Sequence, residues 1–510
     1  MPARCTAAAL LALSASLQPP VPRRTHLKRH ASIDDAALLD AYRAEIAPDA
    51  ADDWWREFVA ATERPPRPAV RCVDAAAAAA LRASTECEEI PWAPGRGYWL
   101  NEEPSKRVAH VAGDYYVQEA AAMVAVAALL RGEDLRRRVV AVDACAAPGG
   151  KTVQLATALR DAGADAVVVA NEPSSSRLGA LVANAVRCGV GPWLRCTRTT
   201  GQKLFAALPR ECADFILLDA PCSGDTLARR EGRGLAKHLR GQPDAASMKE
   251  IVATQLEIVR AAWPCLRPGG ALVYATCSLR PREDEEIVHQ VLKEFDDAAV
   301  EDLAGLAAGG DATLRLWPQA HDSAGFFAAK LRKAGGGGGA AAATDADEDV
   351  ADAARDYLRD AWGVTSLVGP ASSRLVGRGA NLWLAPAAPP LAKNLRYERA
   401  GAKLVEALKV RGRAVPLGQA LRSGRVRATH EFATTLGGHV DAARRASLDD
   451  ASALAYLRGD DVDAAPPSGE PGDQCLVAHG GRVLGLAKVL KGGRLKNQLP
   501  RECVRRDLAF

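Results

Sequence analysis

Between Tyr98 and Lys333, short apolar runs alternate with longer segments whose apolar residues recur every three or four positions. The runs VVAVDAC, AVVVANE, WLRCTRT, FILLDAP, ALVYATC and GFFAAKL predict strands. KTVQLATALRDA, SSRLGALVANAVRC, MKEIVATQLEIVRAAW and EDEEIVHQVLKEF predict helices. This alternation predicts an α/β fold, a parallel sheet covered by helices. From Asp34 to about Pro91, DAALLDAYRAEI and WWREFVAATE carry apolar residues at helical spacing, so a small helical accessory region is expected over 34–112, ahead of the sheet domain at 113–333. The tract AGGGGGAAAATDADED cannot bury a core and predicts a flexible linker over 334–351. Residues 352–510 predict a mixed α+β domain that ends in the basic run GLAKVLKGGRLKNQLPRECVRR.

A length of 510 residues with 48% hydrophobic content suits two or three domains and a substantial core. A net charge of +4 neither demands nor excludes nucleic acid, so any basic surface must come from local clustering. The twelve cysteines follow no regular frame, and neither Cys222 nor Cys277 belongs to a C-x-x-C pair. That disfavours zinc, any other metal centre and a disulfide scaffold, and fits a reducing compartment. Residues 1–33 lack Asp and Glu, while Arg4, Arg23, Arg24, Lys28 and Arg29 surround the short apolar run AAALLALSA. This resembles an organelle-targeting leader, so a plastid or mitochondrion is expected, with cytoplasm or nucleus as the alternative. The apolar runs are too short or too interrupted by charge to span a bilayer, and a monomer that does not engage membranes is expected.

Candidate chemistry gathers at the carboxyl ends of the predicted strands, where α/β folds bind ligands. Cys222 closes FILLDAPC and Cys277 closes ALVYATC, which places two thiols near one reaction centre. Taken singly, each reads first as a small buried core residue, and only the motifs around it favour a reactive thiol. The loop DACAAPGGKT, Asp143–Thr152, sets small residues between a strand and a helix, where backbone N–H groups can approach a polar ligand. It is not a phosphate-binding P-loop, because Cys145 stands where that motif requires glycine. The next strand ends at Glu172, the separation at which an acidic residue accepts hydrogen bonds from ribose hydroxyls. Together they suggest an adenosine-bearing ligand.

With GDYYVQEAAAM, ANEPSSSR, LLDAPCSGD, RPGGALVYATCSLRPREDEE and WPQAHDSAGFFAAKL in order around that loop, the chain resembles the RNA 5-cytosine methyltransferases of the Nop/Sun (RsmB) family over Gly113–Lys333. The C-terminal GLAKVLKGGRLKN further resembles the PUA-like tail of the RsmF branch, which methylates small-subunit ribosomal RNA. The resemblance implies a class I, Rossmann-like fold and S-adenosylmethionine as cofactor. Cys145, Ala146, Ala147, Pro148, Gly149, Gly150 and Lys151 would surround that cofactor, with Glu172 on its ribose and Asp219 close by. It also implies attack on cytosine carbon 6 by Cys277 and release of the product by Cys222. Asp219 would sit beside the base, where a carboxyl group can protonate or hydrogen-bond ring nitrogen 3; its plainer role is to cap nearby amides. Arg177 either orients acidic residues of the site or forms an ordinary surface pair.

Three departures from the family pattern stand out. Thr199-Thr200-Gly201 replaces an aspartate usual near the adenine, Thr226 stands where glycine is common, and the N-terminal RNA-binding run is reduced to Val70-Arg71-Cys72-Val73. The expected partner is RNA, ribosomal RNA before transfer RNA, with Lys488, Lys491, Arg494, Lys496, Arg501, Arg505 and Arg506 as candidate phosphate contacts. An RNA-binding ribosome-assembly factor without methylation is the alternative that the missing aspartate suggests.

Overall fold

The computed structural model describes residues 34–508 apart from 233, 308–311, 336–347, 393–394, 411, 466 and 468–469. The expected leader and most of the expected linker lie outside the described residues. Helical spacing in the first described segment produces the helices Asp35–Ile46 and Asp52–Thr62. Their buried face, Tyr42, Ile46, Trp55 and Phe58, packs on Ala228, Leu235, Leu239 and Leu279 of the central domain.

The rest of the accessory region departs from the helical expectation. Strands β1 (Ala69–Cys72), β2 (Cys87–Glu89), β3 (Gly97–Leu100) and β4 (Tyr115–Val117) form an antiparallel sheet in the order β2-β3-β1-β4, with the helix Ala75–Ser84 after β1. Strands of three or four residues are too short for a period-two pattern to stand out. Because β4 pairs with β1, Tyr115–Val117 belongs to this sheet, although the sequence grouped it with the central domain. Arg71 on β1 is buried, and burial lowers its guanidinium pKa to about 10. Its head group donates to the Gln154 carbonyl at 3.1 Å and to Thr157 Oγ1, both on the helix Gly150–Asp161. An unpartnered buried cation would cost several kcal/mol. With those partners, Arg71 ties the accessory sheet to the helix that opens the candidate site, rather than facing a substrate.

The central sheet is the predicted one. Strands β5 (Arg138–Asp143), β6 (Asp165–Asn171), β7 (Leu194–Thr197), β8 (Ala213–Asp219) and β9 (Leu266–Thr276) run parallel in the order β9-β8-β5-β6-β7. Antiparallel β10 (Ala298–Glu301), β11 (Thr313–Leu316) and β12 (Phe326–Lys333) extend the β9 edge. Strand alternation divides the buried residues between two faces, as in a sheet covered on both sides. Phe215, Leu217, Val273 and Ala275 enter one core, while Ile216, Leu218, Leu272 and Tyr274 enter the other. The strand order reverses between β5 and β8, and the loops at that reversal carry the candidate site.

Beyond the linker the mixed α+β region contains two sheets. The helix Glu348–Trp362 begins inside the expected linker and packs on β13 (Arg374–Arg378). The first sheet has the order β13-β14-β16-β17, with β14 (Asn381–Ala385), β16 (Ala402–Ala407) and β17 (Val426–Ala428). Two-residue β15 (Arg399–Ala400) instead joins the central sheet at β7, where Arg195 Nε also donates to the Pro386 carbonyl at 2.9 Å. The second sheet has the order β18-β20-β21-β22-β19, from β18 (Arg445–Ser447), β19 (Val462–Asp463), β20 (Gln474–His479), β21 (Arg482–Val489) and β22 (Arg494–Asn497). Among the described residues no helix is long and apolar enough to cross a membrane, and no group of three or more His, Cys, Asp or Glu side chains could hold a metal ion.

Candidate active site

Each candidate residue sits at or just beyond the carboxyl end of a central strand. The turn after β5 needs a residue with positive φ, and Gly149, at φ 111°, supplies it. A Cβ on Gly149 would stand 3.0 Å from Leu181 Cδ1, and one on Gly150 would stand 3.2 Å from the Tyr116 ring. Backbone thus occupies space that side chains would fill. Ala146 and Ala147 pack with Ala170, Leu181 and Cys196. The Pro148 carbonyl accepts from Asn184 Nδ2 at 3.0 Å, and burial raises the Cys145 thiol pKa. The loop is therefore anchored from outside, leaving its inner rim to backbone groups.

Glu172, fully buried beyond β6, accepts from the Ser174 N–H at 2.9 Å. Arg177 settles as a positioning residue. Its Nη1 lies 3.2 Å from Glu172 Oε2, and its Nη2 donates to the Ala147 carbonyl at 2.8 Å. Burial raises the Glu172 pKa against those donors. Next to it, Thr200 caps the helix Gly201–Ala207 by accepting from the Lys203 N–H at 3.4 Å. The replaced aspartate has thus become an ordinary helix cap.

At the end of β8, Asp219 Oδ2 accepts from Lys151 Nζ at 2.7 Å, and the ammonium lies 5.0 Å from the Phe326 ring centroid. Burial alone would lower the Lys151 pKa, but the Asp219 charge and hydrogen bond reverse this and raise it. The Cys277 sulfur adds to the same field. Cys222, beyond β8, and Cys277, beyond β9, bring their sulfurs to 3.1 Å, and both are half-buried. The contact with Cys277 first, and burial second, raise the Cys222 thiol well above the ordinary range. Two thiols and a carboxylate–ammonium pair therefore gather beyond the carboxyl ends of the strands at the strand reversal. Such a group can attack carbon, hold a proton and return one.

Comparison with known proteins places this arrangement in a family. The description "16S rRNA methyltransferase RsmB/F" matches residues 132–332, "N-terminal domain of 16S rRNA methyltransferase RsmF" matches 41–120, and "Methyltransferase RsmF PUA domain" matches 443–505. Ribosomal RNA small subunit methyltransferase F of Serratia proteamaculans is 34% identical over 502 residues, 92% of this chain and 96% of its own. The protein of the same name from Aeromonas salmonicida is 34% identical over 481 residues, 89% of this chain and 94% of its own. The chain belongs to the RsmB/F methyltransferase family. The crystal structure of PH0851, 23% identical with a TM-score of 0.50 over 60% of this chain and 70% of that one, shares the fold.

The relatives correct the expected localisation. They are proteins of bacteria such as Serratia proteamaculans, Erwinia tasmaniensis and Cronobacter sakazakii, cells that have no plastid, mitochondrion or nucleus. A charge bias in residues 1–33 is a loose signal beside relatives that match nearly the whole chain.

In this RsmB/F-family chain two supports of the cysteine loops escaped sequence reading. Thr226, in place of glycine, donates from Oγ1 to the Cys277 carbonyl at 2.7 Å. Asp225 accepts from Tyr42 at 2.5 Å and from the Leu279 N–H at 3.3 Å, so the first accessory helix braces the segment after Cys277. At the end of β5, buried Asp143 accepts from Thr152 Oγ1 at 2.6 Å. Burial is the main cause that raises its pKa from 3.8 to about 7, with the Asp219 charge adding to it. Folded protein therefore keeps this proton where unfolded chain has lost it, so stability falls as pH rises from about 4 to about 7. Asp143→Asn should flatten that decline and gain stability relative to wild type on going from pH 4 to pH 8. Urea unfolding followed by tryptophan fluorescence across that range checks it; parallel curves would contradict it.

Proposed function

We propose that this chain methylates carbon 5 of a cytosine in small-subunit ribosomal RNA, using S-adenosylmethionine and a covalent adduct on Cys277. The observation that carries the reading is the pair of sulfurs 3.1 Å apart beside the Asp219–Lys151 pair. Relatives named for the small ribosomal subunit, matched over nearly their whole length, support the substrate. The loop that would hold the cofactor suits it: the small residues from Ala144 to Gly150 set no bulky side chain over the backbone, and the Glu172 carboxylate is fixed to accept from hydroxyls. When bound, S-adenosylmethionine supplies an electrophilic methyl group on a sulfonium sulfur.

The residues of the chain do the rest. In this reading Cys277 loses its thiol proton to solvent, and Cys222, whose thiol the Cys277 contact and burial raise, keeps its own and donates to the Cys277 sulfur 3.1 Å away. That thiolate adds to carbon 6 of the base, forming an S–C bond and moving the ring double-bond electrons toward carbon 5. The Lys151–Asp219 pair holds the proton that ring nitrogen 3 takes up as the adduct forms. Once the Cys277 sulfur is bonded to carbon, the largest of the causes that raise the Cys222 thiol is removed, and Cys222 passes its proton to solvent. After carbon 5 has taken the methyl group, Cys222 accepts the hydrogen of carbon 5 as a proton; ring nitrogen 3 returns its proton to the Lys151–Asp219 pair, and the freed electron pair rebuilds the ring double bond and expels Cys277. The target cytosine must be unpaired or flipped for the thiol to reach it. Lys491, Arg494, Lys496, Arg501, Arg505 and Arg506 are exposed on the C-terminal sheet and its tail, a basic surface for phosphates.

Purified full-length chain incubated with methyl-tritiated S-adenosylmethionine should label small-subunit ribosomal RNA lacking its native methylation. Transfer RNA should stay unlabelled. Label confined to transfer RNA would refute the ribosomal substrate, and no label on any RNA would refute the activity.

A further inference from the structure

Both cysteines of the site are followed by serine, Cys222-Ser223 and Cys277-Ser278, and one buried carboxylate gathers both serines. Glu283 is fully buried. Its Oε1 accepts from Ser223 Oγ at 2.5 Å and from Ser278 Oγ at 2.9 Å. Its Oε2 accepts from the Ser223 N–H at 2.8 Å and from Gln255 Nε2 at 3.1 Å. Gln255 also donates to the Pro221 carbonyl, one residue before Cys222, at 2.9 Å.

The carboxylate is itself held rigidly. The turn Pro281–Glu283 closes with the Glu283 N–H on the Arg280 carbonyl at 2.9 Å, and the Glu283 carbonyl accepts from Tyr274 Oη at 2.6 Å. Tyr274 lies inside β9, so the post that Glu283 stands on is the strand that carries Cys277. Four donors on one carboxylate are charge-assisted hydrogen bonds, the strong kind. They act on the two loops at the residues adjoining the thiols.

We infer that Glu283 is a positioning residue that clips the Ser223 and Ser278 loops together and so sets the separation of the Cys222 and Cys277 sulfurs. The inference rests on the reading of Cys277 as nucleophile and Cys222 as releasing group only for its effect on turnover. The clip itself is a statement about two thiols in the free protein. Neither serine is in line to attack a base, because each hydroxyl is spent on the same oxygen of Glu283.

The first test needs neither RNA nor methyl donor. Diamide takes the two thiol hydrogens and two electrons from a neighbouring cysteine pair and leaves a disulfide, which peptide mapping assigns to the peptides containing Cys222 and Cys277. In reduced full-length protein this cross-link should form about tenfold or more faster in wild type than in Glu283→Gln, since an amide nitrogen repels donors that the carboxylate accepted. Ser223→Ala and Ser278→Ala, each removing one hydroxyl donor, should fall between, and Ser278→Thr, which keeps the hydroxyl, should restore the rate. Because the serine variants are mild, they keep the test decisive if Glu283→Gln does not fold. Wild-type rates in both alanine variants, or in a folded Glu283→Gln, would overturn the clip.

The second arm uses RNA and S-adenosylmethionine. A displaced Cys222 should slow release more than attack, so Ser223→Ala should accumulate protein–RNA adduct on a denaturing gel, with kcat reduced and KM for RNA unchanged. Loss of activity without added adduct, in proportion to lost folded protein, would overturn the positioning role. If wild type transfers no methyl group, the reading of the site fails while the diamide result stands.

Discussion

Cys222→Ala is expected to become trapped covalently on RNA in the presence of S-adenosylmethionine, whereas Cys277→Ala forms no adduct. The two sulfurs are 3.1 Å apart, so distance alone gives either one access to the base. The proposed mechanism separates their roles. The Cys277 contact first, and burial second, raise the Cys222 thiol, and the Cys277 sulfur adds to the field that raises the Lys151 ammonium. A protonated thiol does not attack; a thiolate does. On the proposed roles, removing Cys222 leaves attack intact and deprives the adduct of its base at carbon 5, so turnover should stop one step before release. Removing Cys277 removes the bond-forming atom, and methyl transfer should fall by about a thousandfold or more. Denaturing gels after incubation with substrate RNA separate trapped from free protein, and the reverse pattern would exchange the two roles.

The Asp219–Lys151 pair should behave as one unit. Asp219→Asn removes the oxygen that accepts the Lys151 proton, and Lys151→Met removes the proton itself. Each should slow single-turnover methyl transfer by about a hundredfold to ten-thousandfold, the range for a lost general acid. The double variant should be little slower than either single one, because residues that share one task do not add. If the two losses multiply, Lys151 and Asp219 act separately and the proton assigned to ring nitrogen 3 must come from elsewhere.

Of the five central strands, four were legible as apolar runs buried on both faces, whereas β7, Leu194-Arg195-Cys196-Thr197, was legible from its place in the alternation of strands and helices. The accessory sheet was not, since three- and four-residue strands share their length with turns of helix and one of them follows an alanine-rich helix signal. The β15 pair and the division of the C-terminal half into two sheets rest on pairings between distant residues, such as Arg399 with Cys196. The same divide runs through the site. Cys222, Cys277, Asp219 and Glu172 were legible because they end strands that pattern alone locates. The braces of Tyr42 on Asp225, Thr226 on the Cys277 carbonyl and Glu283 on two serines depend on tertiary contacts, the first across 183 residues. Thr226 left a trace as an odd residue in a familiar motif, but its partner did not.

Most direct for the whole account is the chemical identity of the product. Small-subunit RNA treated with the full-length protein and S-adenosylmethionine, then digested to nucleosides and measured by mass spectrometry, should contain new 5-methylcytidine that Cys277→Ala does not produce. A methyl group on another nucleoside or on another atom of cytidine, or 5-methylcytidine formed equally well by Cys277→Ala, would contradict it.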